Sequence, residues 1–253
     1  MPHIVLLSPQ NANLKTLTLS RLQLSQEDPS CVIETHGDEV LLYVLVGAIE
    51  IRTSDHYWGT FGGRRFLRDP GVQAMRFPAG SFYDVVIQLQ GYSADVLVAS
   101  TEVNSHMRIA PIAHQDDCII HDVGEATYRR EVRVMPTPTG YVLHAGETRA
   151  DGTWSSWPSH ATPEEIARYA EHEEVFFYVS PGYALMHLDG RYCDGTVAQG
   201  VVKLTNGEAL VTPLGQHPLV QSPDTWGVYV WFYRSFLQKT YNQYATDCTI
   251  YVK

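Results

Sequence analysis

Short runs of β-branched and aromatic residues, punctuated by Gly, Pro and Asp, set the pattern along this chain. Such runs predict strands. They fall at Val40–Arg52, Met75–Phe77, Phe82–Leu89, Ala94–Ala99, Tyr128–Met135 and Tyr141–His144. They recur at Glu174–Val179, Tyr183–Leu188, Val197–Leu204, Ala209–Thr212 and Val228–Tyr233. Helical periodicity is scarce. Thr162-Pro163-Glu164-Glu165 has the form of an N-cap, a first-turn proline and a capping box, so a helix is predicted to start there. The tail Arg234–Tyr244 is read as a second helix. Many short strands with few helices predict an all-β sandwich or barrel.

The pattern also repeats. An offset of 135 residues carries Glu39-Val40 onto Glu174-Val175, Tyr43-Val44 onto Tyr178-Val179 and Gly47 onto Gly182. The same offset carries Pro78-x-Gly80 onto Pro213-x-Gly215. A single offset held over so long a stretch indicates duplication of one β-rich unit. Residues 1–123 are expected to form the first copy and residues 124–253 the second.

Composition narrows the partners. Hydrophobic residues make up 44% of the 253 and charged residues 18%, which is a globular composition. The net charge of -10 excludes nucleic acid and anionic membrane as main partners, since both need Lys and Arg to neutralise phosphates. The longest apolar run, Val40–Ile49, is far shorter than the roughly 20 residues of a membrane-spanning helix. No basic segment followed by an apolar one opens the chain, so a cytoplasmic protein is expected. Cys31, Cys118, Cys193 and Cys248 lack CxxC spacing and are expected to be reduced thiols.

The second copy carries the residues with chemical potential. Gly152, His160 and Glu174, then Gly207-(x)5-Pro213-x-Gly215-x-His217, resemble the two cupin motifs. In a cupin barrel such side chains point inward from adjacent strands. Two imidazoles and one carboxylate there suit a divalent ion with positions open for substrate. The plainer reading of each His is a hydrogen-bonded structural residue. In the first copy Ser25 and Phe82 fall at the offset positions of His160 and His217, so no imidazole is available. Glu39 is then either the relic of a ligand or an ordinary strand-edge charge, and the first barrel is expected to be structural.

The resemblance becomes closer in Gly146-Glu147-Thr148, Gly152-x-Trp154-Ser155-Ser156-Trp157-Pro158-x-His160, Glu173-Glu174-Val175 and Gly215-x-His217-Pro218. With Gly63-Arg64 and Phe77–Gly80 in the first half, these resemble the 5-deoxyglucuronate isomerase family of inositol catabolism. The 4-deoxy-5-hexosulose-uronate ketol-isomerases of pectin breakdown are related to it. The resemblance spans roughly residues 30–235. It implies a bicupin of two tandem jelly-roll barrels, a divalent metal (zinc or manganese, with iron possible) held by His160, Glu174 and His217, and aldose–ketose isomerisation of a small sugar acid. It also implies a homo-oligomer.

Three departures sit near the expected pocket. The family's second His on the first metal strand is Thr162 here. Arg130-Glu131-Val132-Arg133 stands where the family has Arg-x-Val-His, and Trp231-Phe232-Tyr233-Arg234-Ser235 replaces Asn-Val-Met-Ala-Gly. His172, two residues before Glu174, is either an exposed junction residue or a replacement ligand facing the same side. Strand alternation puts Arg130 on one face and Arg129 and Arg133 on the other. A barrel-facing Arg suits a substrate carboxylate through a bidentate pair, and a solvent-facing one pairs with Glu131. Glu174 and Arg130 are the expected catalytic residues, and Arg130, Arg133 and Thr162 the expected substrate contacts. The departures keep two other readings open. One is a different metal-dependent step (lyase, epimerase or oxygenase) in a biosynthetic pathway. The other is a non-catalytic bicupin that binds a sugar acid.

Overall fold

A computed structural model describes residues 3–103, 109–157 and 172–236. His160, Thr162 and the helix predicted from Thr162 lie outside the described residues. The remainder is built from strands, with one 3-10 turn at Ala126–Tyr128. The all-β class expected from the patterning is therefore what the chain adopts.

Two compact units emerge. The first comprises Met1–Ser8, Thr16–Asp117 and Gly140–Leu143, and the second Pro9–Lys15, Cys118–Thr139 and His144–Lys253. The first unit holds β1 (His3–Leu7), β2 (Leu17–Ser25), β3 (Ser30–Glu34), β4 (Glu39–Arg52), β5 (Tyr57–Arg64), β6 (Gln73–Phe77), β7 (Asp84–Thr101) and β8 (Ile112–Gln115). The second holds β9 (Ile119–Val123), β10 (Arg130–Val134), β11 (Leu143–Asp151), β12 (Trp154–Ser155), β13 (His172–Val179), β14 (Tyr183–Arg191), β15 (Val197–Thr205), β16 (Ala209–Thr212), β17 (Leu214–Gln216), β18 (Leu219–Gln221) and β19 (Trp226–Ser235). Apart from Pro9–Lys15, the second unit takes up the chain at Cys118, ahead of residue 124, where β9 pairs with β10 along its whole length.

In the first unit one sheet runs β1-β2-β7-β4-β6-β8, with β3 on β7 and β5 on β4. The long strands β4 and β7 serve both halves of the barrel. Residues 39–46 of β4 pair with 95–101 of β7, and 48–52 pair with 86–90. The irregularity between them falls at Gly47, whose φ of +79° and lack of room for a Cβ (2.2 Å from the Ser93 carbonyl oxygen) require glycine. The two strands read as Phe82–Leu89 and Ala94–Ala99 are thus one continuous β7, and Phe82 lies outside it, 80% exposed. Val40, Leu42, Val44, Phe61, Val85 and Val96 fill this barrel.

The second unit has two sheets, β16-β13-β19-β11-β10-β9 and β12-β18-β14-β15, with β17 paired to β14. Phe176, Tyr178, Met186, Leu219, Tyr229 and Trp231 form its core, with Val132 and Val134 packed against them. Arg234 and Ser235 close β19 as strand, so the helix read from Arg234 does not begin there. The rest of that predicted helix, from residue 237, lies outside the described residues.

The strand order around β4 and β13 corresponds, but the register departs from a single offset of 135. Val40 of β4 lies opposite Phe77 on β6 and Ser100 on β7. Glu174 of β13 lies opposite Thr212 on β16 and Tyr233 on β19. Val40, not Glu39, therefore stands where Glu174 does. A one-residue slip moves a side chain to the other face of its sheet. Glu39 accordingly faces away from the barrel core, with Leu41 and Tyr43. It is neither a ligand relic nor a strand-edge charge. Its carboxylate is 1% exposed and accepts the backbone N–H groups of Val142 (2.8 Å) and Leu143 (3.0 Å), with Arg76 at 3.6 Å.

Candidate functional site

Alternation along β13 puts His172, Glu174, Phe176 and Tyr178 on one face, and Phe176 and Tyr178 belong to the barrel core. His172 is buried rather than exposed, because the strand already begins at this residue. Cross-strand pairing adds Tyr233 beside Glu174. The His172 ring lies on the Tyr233 ring, with centroids 4.7 Å apart and planes at 31°. His144 of β11 meets the same tyrosine edge-on at 5.6 Å. His144 carries no motif spacing. Only the adjacency of β11 and β19, which the sequence does not reveal, brings it to this cluster.

His217 follows β17, whose Gly215 has a φ of +141° and no space for a Cβ, 2.4 Å from the Asp189 carbonyl oxygen. The Nδ1–H of His217 donates to the Gly215 carbonyl at 3.0 Å. A carbonyl only accepts, so this bond fixes the tautomer and leaves the Nε2 lone pair exposed to a partner whenever the ring is neutral. Nε2 lies 3.8 Å from Oε2 of Glu174. Thr212 donates to that same Oε2 at 3.1 Å. Phe176 stands edge-on to the His217 ring, and Glu174 and His217 are both buried.

A carboxylate oxygen and an imidazole nitrogen facing each other in a buried place attract when the imidazole carries its second proton, and a neutral imidazole there presents a lone pair that a cation can share with the carboxylate. Bonds from a divalent ion to N and O ligands are about 2.0–2.2 Å, so a 3.8 Å separation admits one. The backbone carbonyl that orients His217 is the usual outer-shell partner of a metal-binding imidazole. The donor set therefore fits a divalent cation. Among the described residues no three His, Cys, Asp or Glu side chains converge as a complete metal cluster. The third expected ligand, His160, lies outside those residues.

The arginines divide. Arg130 shares its face of β10 with Val132 and Val134, which pack on the barrel core. It is buried and donates from Nη1 to the carbonyls of Trp157 (3.0 Å) and Tyr128 (3.3 Å). Arg133 is on the opposite face. It pairs with Glu131 at 2.7 Å and lies 3.8 Å from the fully buried Glu147, which also pairs with Arg149. Arg133 is therefore not brought to the Glu174 cluster. Arg129 is exposed and paired with Asp122. Glu173 faces away from Glu174 and accepts from the Cys193 thiol at 3.1 Å. Cys31, Cys118 and Cys193 are thiols without disulfides. Among the described residues no helix is long and apolar enough to cross a membrane.

The sequence profile of the KduI/IolB family matches residues 2–247. A 5-deoxy-glucuronate isomerase of Geobacillus kaustophilus is 26% identical over 208 residues, covering 78% of this chain and 72% of that protein. Its counterpart in Geobacillus thermodenitrificans is 25% identical over the same shares. An IolB-like protein of Salmonella typhimurium superposes with a TM-score of 0.76 at 18% identity, over 92% of this chain and 89% of that one. The oxalate decarboxylase of Lactobacillus farciminis gives 0.63 at 10% identity, over 92% and 81%. These structural likenesses establish the bicupin fold.

Proposed function

The chain belongs to the KduI/IolB family, and on that basis we propose that it is a metal-dependent ketol isomerase of a small sugar acid of the 5-deoxy-glucuronate type. The observation that carries this reading is the buried pair of Glu174 Oε2 and His217 Nε2, 3.8 Å apart, with the imidazole oriented by the Gly215 carbonyl. His160, Glu174 and His217 are the ligands of a divalent ion (zinc, manganese or iron), with His172, on the same face as Glu174, standing in for the family's second histidine. The bound ion supplies charge that polarises a carbonyl and offsets negative charge developing on the substrate oxygens.

Aldose–ketose isomerisation removes a proton from C2, forms a C1–C2 double bond as the carbonyl electrons move to oxygen, and returns a proton to C1. The chain's own groups hold the substrate for that transfer. Phe176 and Trp231 keep the barrel dry, which strengthens each polar contact in it. Arg130 receives the substrate carboxylate with the guanidinium edge not used by Trp157 and Tyr128. Thr212 holds the Glu174 carboxylate in place.

Tyr233, directly across from Glu174 with its ring against that of His172, favours a second reading in which the pocket performs another metal-dependent step. Proton NMR in D2O separates the readings. Isomerisation of 5-deoxy-glucuronate with deuterium entering at C1 or C2 supports the first. Stable substrate in the presence of zinc, manganese or ferrous iron overturns it.

A further inference from the structure

The first barrel has a cavity of its own, at the end where β2 and β4 begin and β7 finishes. It is an open cleft of about 380 Å³, within the 300–1,000 Å³ typical of small-molecule sites. His3, Thr18, Ser20, Asp38 and Ser100 supply its polar wall, and Val5, Val32, Val40 and Val98 its apolar one. The pairing register gives its place in the fold. Val40 stands where the second barrel has Glu174, and Ser100 where it has Tyr233. The cavity thus occupies in the first barrel the position of the Glu174 cluster in the second, with a valine and a serine at those two positions.

Its polar groups are unspent. Among the described residues the hydroxyls of Thr18, Ser20 and Ser100 make no hydrogen bond, and Nε2 of His3 is buried without a partner. Such groups gain most from a ligand that both donates and accepts. Glu34 and Asp38 line the cavity, and no Lys or Arg does. A carboxylate ligand would meet like charge, and the imidazole of His36, which also lines the cavity, already lies 3.4 Å from the Glu34 carboxylate. Burial holds the His3 imidazole toward its neutral form, and burial, then Glu102, raises the Asp38 carboxyl above its ordinary range. Val5, Val32, Val40 and Val98 are placed for the C–H face of a ring.

We propose that this end of the first barrel is a second small-molecule site, taking a neutral polyhydroxylated compound of monosaccharide size and rejecting sugar acids. The proposal is independent of the reaction assigned to the second barrel. Titrating the full chain with D-glucose and with D-glucuronate tests it, because the two differ at C6 by a hydroxymethyl against a carboxylate. Calorimetry and the imidazole NMR signals of His3 give the readout. Glucose is expected to bind in the millimolar range and shift His3, with glucuronate weaker at this site by about tenfold. Thr18→Val with Ser100→Ala removes two hydroxyls at nearly constant volume and is expected to weaken glucose by about tenfold with the melting curve unchanged. Ser20→Leu, which fills the cavity, abolishes binding, and Glu174→Gln leaves it intact. No glucose binding, binding indifferent to Thr18→Val/Ser100→Ala, or binding lost in Glu174→Gln would each overturn the proposal.

Discussion

Arg76 and Glu39 offer the sharpest energetic test of the first barrel. Arg76 has 0% and Glu39 1% of its surface exposed, and their charges approach to 3.6 Å. The carboxylate also holds the Val142 and Leu143 amides, while Arg76 donates to the Leu143 carbonyl and to Nε2 of His114 at 3.1 Å. Replacing Arg76 by Met keeps the bulk and strips the cation from a buried carboxylate. Breaking one side of a buried ion pair costs about 3–5 kcal/mol, equivalent to about a hundredfold to a few thousandfold in the folding equilibrium. Hydrogen exchange at Val142 and Leu143, alongside urea unfolding, measures this directly. Arg76→Met is expected to lose protection at both amides and stability in that range. Glu39→Gln/Arg76→Met is expected to cost less than the sum of the single changes, since neither charge is then stranded. A loss below about 1 kcal/mol with unchanged exchange at both amides would refute the clamp.

Other outcomes follow from the second unit. Arg130→Gln is expected to raise KM for a sugar acid by about tenfold or more with little change in kcat, whereas Arg133→Gln, removing the more distant of the two guanidinium groups beside buried Glu147, lowers the melting temperature and leaves KM alone. Burial, then the Glu173 carboxylate, pushes the Cys193 thiol from 9.0 up to about 12. Alkylation of Cys193 at pH 8 is therefore expected to be slower than in the unfolded chain by about a thousandfold, as peptide mapping would show. The sign follows from the raised value: the thiol's stabilising share is present below about pH 9 and fades as pH climbs toward 12. Gly215→Ala places a Cβ against the Asp189 carbonyl at a positive φ and is expected to lower the melting temperature and misdirect His217.

Strand composition made most of the fold readable. Ala209–Thr212 was marked at both ends by turn residues and is β16 as read. The run Glu174–Val179 missed only the first two residues of β13. What composition cannot carry is register. Glu39 matches Glu174 in type and near-position, yet one residue of slip sends it to the other face, and Val40 takes the barrel position. Likewise Arg130 and Arg133 look interchangeable in sequence, and only the packing of Val132 and Val134 shows which of them faces the core. His144 and Tyr233 meet through the pairing of distant strands, which no local spacing encodes. The Gly-Gln-His turn, by contrast, was legible, because a tight glycine and the following imidazole are local features.

Metal content of the purified chain tests the central assignment most directly. Elemental analysis of the intact protein and of His217→Ala is expected to give about one divalent ion per chain in the former and well under a tenth of that in the latter, because His217 supplies one of few ligands. A chain that stays metal-free after exposure to zinc, manganese or ferrous iron, or equal loading of the intact and His217→Ala proteins, would contradict it.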